Sequence, residues 1–209
     1  MKTTRIITLL AIAALIVSCG SHRREYKCIS PLPAGIEIED LKDCIVPVSF
    51  KTEDFNWMGG NLSVTVYSRD LYDAVEVTQL HTGDTIMYDG TPLPIVKVEE
   101  VNGAIIINDG QVDEGGCTLV PNEGGTYVGR GLDDHPSYTA IGKTELPLAE
   151  NFVIIDCGDF PTDPIDTIRT EQKLYMETLE GADVDFSCLD TQVTIEKGAI
   201  IEINRRWIP

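Results

Sequence analysis

Two glycine-containing dipeptides constrain the fold of this chain more than any other feature. Asp89-Gly90 follows the apolar run Thr85–Tyr88, and Asn102-Gly103 precedes the run Ala104–Ile107. Asp-Gly and Asn-Gly supply the positive φ angles that a two-residue hairpin turn needs, and β-branched residues favour strands on either side. The middle of the chain is therefore predicted to consist of β-hairpins.

The same alternation of short apolar runs and turn residues continues along most of the 209 residues, with 18 glycines and 11 prolines mainly between the runs. Further runs lie at 46–50, 62–66, 117–120, 126–129, 143–148, 152–155, 192–195 and 199–207. Short strands with this spacing favour antiparallel pairing over a βαβ layout. We predict a mainly β fold, an antiparallel sandwich or partly open barrel.

One peripheral α-helix is predicted at about residues 168–180. Ile168, Tyr175 and Leu179 have near-helical spacing, and Gly181 suits the left-handed residue that ends many helices. We expect this apolar stripe to pack against the β-rich body.

The first nineteen residues have the parts of a secretory signal. Lys2 and Arg5 precede an apolar segment at 6–17. At 1.5 Å per residue this segment is about 18 Å long as a helix, which is too short for the ~30 Å hydrocarbon core of a bilayer. The segment therefore predicts export and not a membrane-spanning helix.

The end of that segment, Ile16-Val17-Ser18-Cys19, resembles the lipobox of bacterial lipoproteins. The resemblance implies a diacylglyceryl group on the Cys19 thiol, cleavage before Cys19, and acylation of the new amino terminus by a fatty acid such as palmitate. Several acyl chains make a lasting anchor, whereas one binds only marginally. The implied partner is thus the membrane, through Cys19. A cleaved, soluble secreted protein is the alternative.

These features divide the chain into a signal peptide at 1–18, a lipidated tether at 19–44 and a β-rich globular domain at 45–209. The resemblance places the protein in the cell envelope. Gly20 follows the cysteine where an Asp would suggest retention in the inner membrane under the enterobacterial sorting pattern, so the outer membrane is favoured.

The net charge of −18 comes from 16 basic and 34 acidic residues. Such a polyanion repels phosphate backbones, so we expect no nucleic-acid partner.

Five cysteines remain beside Cys19, and an exported protein can keep disulfides. They are Cys28, Cys44, Cys117, Cys157 and Cys188. Because five is odd, at least one thiol stays free or pairs between chains, and the pairing is left open. No C-x-x-C spacing is present, so the sequence does not support a zinc ribbon or a thioredoxin-like site.

Asp133, Asp134 and His135 form the best local cluster for chemistry. Two carboxylates beside an imidazole can bind a metal or poise the imidazole as a base, although an ordinary acidic loop has the same composition. Gly142-Lys143-Thr144 imitates the end of a P-loop, but Pro147 prevents the helix that should follow. No cofactor is expected.

Three functions remain open from the sequence. The leading hypothesis is a non-enzymatic binding or interaction module held at the membrane. The alternatives are an envelope hydrolase that uses Asp133, Asp134 and His135, and a domain stabilised by calcium. The calcium alternative rests on Asp156, Asp159, Asp163 and Asp166, which cannot share one helix because Pro161 and Pro164 interrupt it.

From about Val64 onward, the chain resembles β-rich domains of uncharacterised exported proteins from gut bacteria. The resemblance rests on Gly83-Asp84-Thr85-Ile86, Gly115-Gly116, Gly131-Leu132-Asp133-Asp134 and Ile203-Asn204-Arg205-Arg206. It implies a β-rich exported domain and brings no function with it.

Overall fold

A computed structural model describes residues 25–131, 134–156, 168–169 and 186–208. These residues form strands β1 (Cys28–Ile29), β2 (Cys44–Ser49), β3 (Phe55–Asn56), β4 (Asn61–Arg69), β5 (Leu71–Asp73), β6 (Thr85–Tyr88), β7 (Thr91–Pro94), β8 (Val98–Val101), β9 (Ala104–Ile107), β10 (Cys117–Asn122), β11 (Thr126–Arg130), β12 (Tyr138–Asp156), β13 (Ile168–Arg169), β14 (Thr191–Glu196) and β15 (Ala199–Arg205). They also form one short α-helix, α1 (Ala74–Thr78), and four 3-10 helices, at Ile38–Asp40, Thr52–Asp54, Asn108–Gly110 and Val112–Glu114. The mainly β fold predicted from the sequence is confirmed.

Five of the strands form a small barrel. Their order is β2-β4-β12-β15-β14, and β14 pairs again with β2. Neighbouring strands are antiparallel except for β12 and β15, which are parallel. Numbered in chain order, the barrel reads 1-2-3-5-4-1, which is the strand order of the OB-fold.

The long strand β12 closes the barrel because it pairs with two different strands. Its first half pairs with β4 and its second half with β15. The register shifts between Ala140 and Gly142 and again between Leu148 and Val153. Such irregularities bend a strand, and a bent strand can leave one neighbour and join the next.

The barrel core follows from alternation along its strands. On β4, the side chains of Leu62, Val64 and Val66 are buried, while the intervening Ser63 and Thr65 are only half-buried. Successive side chains of a strand point to opposite faces, so the apolar set lines the interior and the hydroxyl set lies outside. The polar outer face is therefore already encoded in the sequence of this strand.

Residues 70–137, between β4 and β12, form a second unit that we call the insert. It contains a five-stranded sheet, β5-β11-β10-β9-β8, and the hairpin β6-β7, to which β1 from outside the insert adds a third strand. It has a core of its own, which includes Tyr72, Ile86, Ile107 and Leu119. The insert thus buries its apolar residues separately from the barrel.

The predicted hairpin turns are confirmed. Asp89 and Gly90 have φ angles of 47° and 69°, and Asn102 and Gly103 have φ angles of 53° and 83°. These left-handed pairs are typical of type I′ turns, whose twist matches that of the paired strands. The turn between β14 and β15 uses Lys197 and Gly198 in the same way.

Part of the segment predicted to be a tether packs on the folded body. Strand β1 pairs in parallel with β6, and the Leu32 amide donates a 2.6 Å hydrogen bond to the Leu71 carbonyl. Ile29 enters the core of the insert, while Leu41 enters that of the barrel. Burial of these two apolar side chains draws residues 28–41 onto the surface.

The helix predicted at 168–180 does not begin at Ile168. Ile168 and Arg169 form β13, which pairs antiparallel with the end of β12. A β-branched residue beside an open strand edge gains ladder hydrogen bonds that outweigh a weak helical pattern. Residues 170–180 lie outside the described residues.

The described α-helix, α1, lies at the edge of the insert. It begins after Asp73, whose side chain accepts hydrogen bonds from the amides of Val75 and Glu76. Within the described part of the chain, no helix is long and apolar enough to cross a bilayer.

Candidate functional site

A cleft of about 490 Å³ lies on the outside of the barrel, and we call it the barrel cleft. Its lining residues come from β2, β4 and β12 and from the segments that follow β2 and precede β14: Ser49, Phe50, Lys51, Glu53, Asp54, Ser63, Thr65, Tyr67, Lys143, Phe186, Ser187 and Cys188. The volume lies within the range of small-molecule sites in proteins.

Hydroxyl groups dominate the strand side of the barrel cleft. Ser63, Thr65 and Tyr67 are successive outward positions of β4, and Ser49 pairs with Thr65 across the neighbouring strand. The Ser49 and Tyr67 hydroxyl oxygens are 3.0 Å apart, within hydrogen-bond distance. Because one hydroxyl can both donate and accept, this surface can match either role in a ligand.

Charges in the barrel cleft are balanced. Lys51 and Lys143 face Glu53 and Asp54 in its lining. The Lys143 ammonium is 3.7 Å from the Asp54 carboxylate, which also accepts a 2.8 Å hydrogen bond from the Lys51 amide. The lining therefore carries no net charge.

Aromatic packing sets the end wall of the barrel cleft. The Phe50 and Phe186 rings stack with their centroids 4.4 Å apart. The backbones of the two residues exchange hydrogen bonds of 3.1 Å and 3.2 Å. Both rings are buried, so this contact fixes the segment that continues into Ser187 and Cys188.

Arg205 holds the segment at 186–190 through contacts with Phe186 and Asp190. Its guanidinium lies 3.5 Å from the Asp190 carboxylate, 3.6 Å from that of Asp156, and over the Phe186 ring at 5.3 Å. Asp190 in turn accepts hydrogen bonds from the Ser187 amide and the Thr191 hydroxyl. The cleft wall at 186–188 is thus tied, through Asp190, to the end of β15.

A second cleft, of about 470 Å³, lies between the barrel and the insert, and we call it the junction cleft. The barrel side contributes Tyr67, Tyr138, Ser187, Cys188 and Leu189, and the insert side contributes Tyr88, Asp89, Val112, Gly131, His135, Pro136 and Ser137. Its lining is richer in rings and apolar groups than that of the barrel cleft. Tyr67, Ser187 and Cys188 line both clefts.

Cys188, which lines both clefts, is not suited to act as a nucleophile. Burial, with a smaller contribution from the Asp89 carboxylate, raises the pKa of Cys188 to about 11. The thiol is therefore protonated near neutral pH and is a poor nucleophile. Cys28, Cys44, Cys117 and Cys188 are all free thiols, and Cys157 lies outside the described residues.

The candidate catalytic cluster is only partly described. The Asp134 side chain is 84% exposed and lies 3.9 Å from the Arg130 guanidinium. His135 lines the junction cleft, and its carbonyl accepts a 2.7 Å hydrogen bond from the Gly131 amide. Asp133 lies outside the described residues.

Of the four aspartates considered for calcium, Asp156 is described. It is buried, with its carboxylate 3.6 Å from the Arg205 guanidinium. Asp159, Asp163 and Asp166 fall in the part of the chain left undescribed. Among the residues that are described, no group of three or more His, Cys, Asp or Glu side chains could hold a metal ion.

Sequence reasoning did not select the residues of the barrel cleft. At the level of sequence, Lys143 belongs to an incomplete P-loop pattern, and the run at 62–66 predicts only a strand. The available signal was the run Ser63, Thr65, Tyr67, in which every outward position of one strand carries a hydroxyl. Only the fold brings this run beside Lys143 and the segment at 186–188.

The chain matches no family model, and comparisons with curated proteins and with solved structures also return no match.

Proposed function

We propose that this protein is a lipid-anchored binding module of the bacterial cell envelope whose barrel cleft holds a neutral, hydroxyl-rich ligand such as a short saccharide. The observation that carries the proposal is the lining of the barrel cleft, in which several hydroxyls accompany two balanced pairs of charges. Such groups hold a polar ligand by hydrogen bonds without requiring the ligand to carry charge.

Charge narrows the ligand class. The chain has a net charge of −18, so a polyanionic ligand meets long-range repulsion before it reaches the neutral cleft. A cation receives no local preference from a lining whose acids are matched by lysines. A neutral ligand with many hydroxyls avoids the long-range repulsion and can form hydrogen bonds with the hydroxyl groups of the lining.

The place of the cleft on the barrel also supports binding. In OB-folds, the outer face of the second and third strands, with the loop between the first two, takes oligonucleotides or oligosaccharides. Here those strands are β4 and β12, and the loop is at 50–60. This support is an analogy of architecture, and the choice of saccharide rests on charge and lining.

Direct binding measurements test this proposal. The probes are neutral malto-, cello- and xylo-oligosaccharides, titrated calorimetrically into the protein. We expect saturable binding by at least one series, and loss of that binding in Thr65→Trp, which fills the barrel cleft. Val101→Trp is the matched control, because Val101 is 47% exposed on an edge strand of the insert. Absence of binding by all three series, or unchanged binding in Thr65→Trp, would contradict the saccharide site.

The anchor is the second part of the proposal. Its support is the order of Lys2, Arg5, the apolar segment at 6–17 and Cys19. Because Gly20, and not Asp, follows the lipidated Cys19, the proposed location is the outer membrane. The globular domain would then meet its saccharide in the aqueous phase beside that membrane. Intact mass of the mature protein tests this, since the anchored form begins at Cys19 and carries acyl chains. Cys19→Ala should lose both the acyl mass and the cleavage before residue 19, so that the apolar segment at 6–17 stays on the chain. An unmodified mature wild-type chain would contradict the anchor.

A further inference from the structure

We infer that the junction cleft is a second lobe of the same binding groove, so that the ligand is an extended oligosaccharide whose further units lie between the barrel and the insert. This inference rests on the proposed function, because it takes the saccharide in the barrel cleft as its starting point. It adds a site that the outer face of a simple barrel does not possess, since one wall comes from the insert at 70–137.

Continuity between the two clefts is the first argument. Tyr67, Ser187 and Cys188 line both, so the clefts meet along one ridge of side chains. A ligand held beside Thr65 on β4 has the Tyr67 side chain as its next neighbour along the strand. A chain-like ligand therefore passes from one lobe to the other without leaving the surface.

The chemistry of the second lobe is the next argument. Tyr67, Tyr88 and Tyr138 contribute rings to it. Tyr88 is buried, and its hydroxyl donates a 2.7 Å hydrogen bond to the Arg130 carbonyl, so the half-buried Tyr67 and Tyr138 are the more accessible rings. Sugar units have apolar C–H faces, and the electron-rich face of an aromatic ring packs well against such a face.

The two lobes thus complement one another for a single class of ligand. The barrel cleft matches the hydroxyl edges of sugar units, while the junction cleft matches their C–H faces. Asp89 is the carboxylate and His135 the imidazole that the insert contributes to the lining, and the other lining residues are uncharged types. A neutral oligosaccharide therefore suits both lobes.

Both walls of the junction cleft are held before any ligand arrives. On the insert side, the Asp70 carboxylate accepts hydrogen bonds from the Asp89 amide at 3.2 Å and from the Thr139 hydroxyl at 2.7 Å. On the barrel side, Asp190 fixes the turn that contains Leu189. A preformed groove loses little ordering entropy when it binds, so each added sugar contact increases affinity.

The test compares ligand length with a variant that fills only the second lobe. Leu189 is 40% exposed at the rim of the junction cleft, so Leu189→Trp places a large ring there with little loss of core packing. Calorimetric titrations use one series of neutral oligosaccharides from a disaccharide to a hexasaccharide, on the full chain, with wild type, Leu189→Trp and Val101→Trp.

In wild type and in Val101→Trp, we expect the longest member to bind about tenfold or more tightly than the disaccharide. In Leu189→Trp, the disaccharide affinity should stay unchanged and the gain with length should disappear. Equal affinity for all lengths in wild type, or a gain that survives in Leu189→Trp, would overturn the second lobe. Failure of every saccharide to bind would instead overturn the proposed function, so the two failures are distinguishable.

Discussion

The Thr139 hydroxyl donates a 2.7 Å hydrogen bond to the buried carboxylate of Asp70, and this contact joins the two places where the chain passes between barrel and insert. Asp70 directly follows β4, and Thr139 lies near the start of β12. The other carboxylate oxygen accepts from the Asp89 amide, in the turn between β6 and β7. One side chain thus ties three separate segments together.

Stability should depend on pH through Asp70. Burial raises the pKa of this carboxyl above its ordinary value, against the weaker opposite effect of its hydrogen bonds. The folded state therefore binds the proton more tightly than the unfolded state, whose pKa is about 3.9. Relative to Asp70→Asn, wild type should be most stable below about pH 4 and should lose that advantage as pH rises through the folded pKa.

Urea unfolding of both proteins at several pH values measures this difference. Asn cannot titrate, so any stability change it shows with pH comes from other groups and cancels in the comparison. Asp113→Asn, at an exposed position of the insert, is the control for loss of one negative charge. A difference between wild type and Asp70→Asn that is constant with pH, or that grows in favour of wild type as pH rises, would contradict the raised pKa.

Asp84 should hold the amino-terminal strand on the insert. Its buried carboxylate accepts hydrogen bonds from the amides of Lys27 and His81, at 3.0 Å and 2.9 Å. Asp84→Ala removes both acceptors, and we expect a loss of roughly 1–3 kcal/mol in the free energy of unfolding. Hydrogen exchange should accelerate at residues 27–29. Unchanged protection there, with an unchanged midpoint of unfolding, would show that Asp84 has no such role.

Arg205 and Arg206 form a matched pair for testing how the segment at 186–190 is held on the barrel. The Arg205 side chain is 7% exposed and lies between Asp156 and Asp190, while Arg206 is exposed. Arg205→Met removes the guanidinium that lies beside two carboxylates, and removal of one partner from such a buried network costs about 3–5 kcal/mol. Arg206→Met should change stability by less than about 0.5 kcal/mol, as is usual for surface positions.

Chemical denaturation of the two variants checks this prediction. Equal stability of Arg205→Met and Arg206→Met would show that the buried network contributes nothing to the fold. We expect a loss of stability in Arg205→Met and none in Arg206→Met. Under conditions in which Arg205→Met is still folded, we also expect it to bind saccharide more weakly than wild type.

Alkylation should distinguish the free thiols by their ionisation. Because burial raises the pKa of Cys188 to about 11, its rate of reaction with iodoacetamide should keep rising up to pH 10. Exposed Cys28 is the internal control for access of the reagent. A small model thiol with a pKa of about 8.5, labelled in the same solution, reaches its plateau earlier. Mass spectrometry of the labelled peptides gives both rates. A plateau for Cys188 near pH 9 would contradict the raised pKa.

The sequence predicted local features well where short-range chemistry decides them. Asp89-Gly90 and Asn102-Gly103 form turns because their own side chains and backbones favour positive φ, and alternation on β4 sorts its residues between the two faces. The sequence predicted a sandwich or a partly open barrel, but it did not predict which strands close the barrel or that residues 70–137 form a separate insert, because the pairing of β4 with β12 spans the whole insert. The start of the helix predicted at 168–180 failed because Ile168 and Arg169 pair with β12.

The candidate site was least accessible from the sequence. Its parts come from residues 49–54, 63–67, 143 and 186–188, which no local pattern connects. Hydroxyl residues on an outward strand face are common on protein surfaces. Ser63 and Thr65 therefore indicate a binding site only because the fold places them in one cleft with Lys143 and Ser187. His135 belongs to the predicted cluster with Asp133 and Asp134, and the structure places it in a cleft lined by tyrosines.

Residue-resolved NMR of the isotopically labelled protein, titrated with the tightest neutral oligosaccharide, tests the central proposal most directly. The account predicts that the largest chemical-shift changes occur at Ser63, Thr65, Tyr67 and Ser187, with smaller ones extending to Leu189. Saturable changes confined to other surfaces, such as the edge strand β8, would contradict a ligand site on the outer face of the barrel.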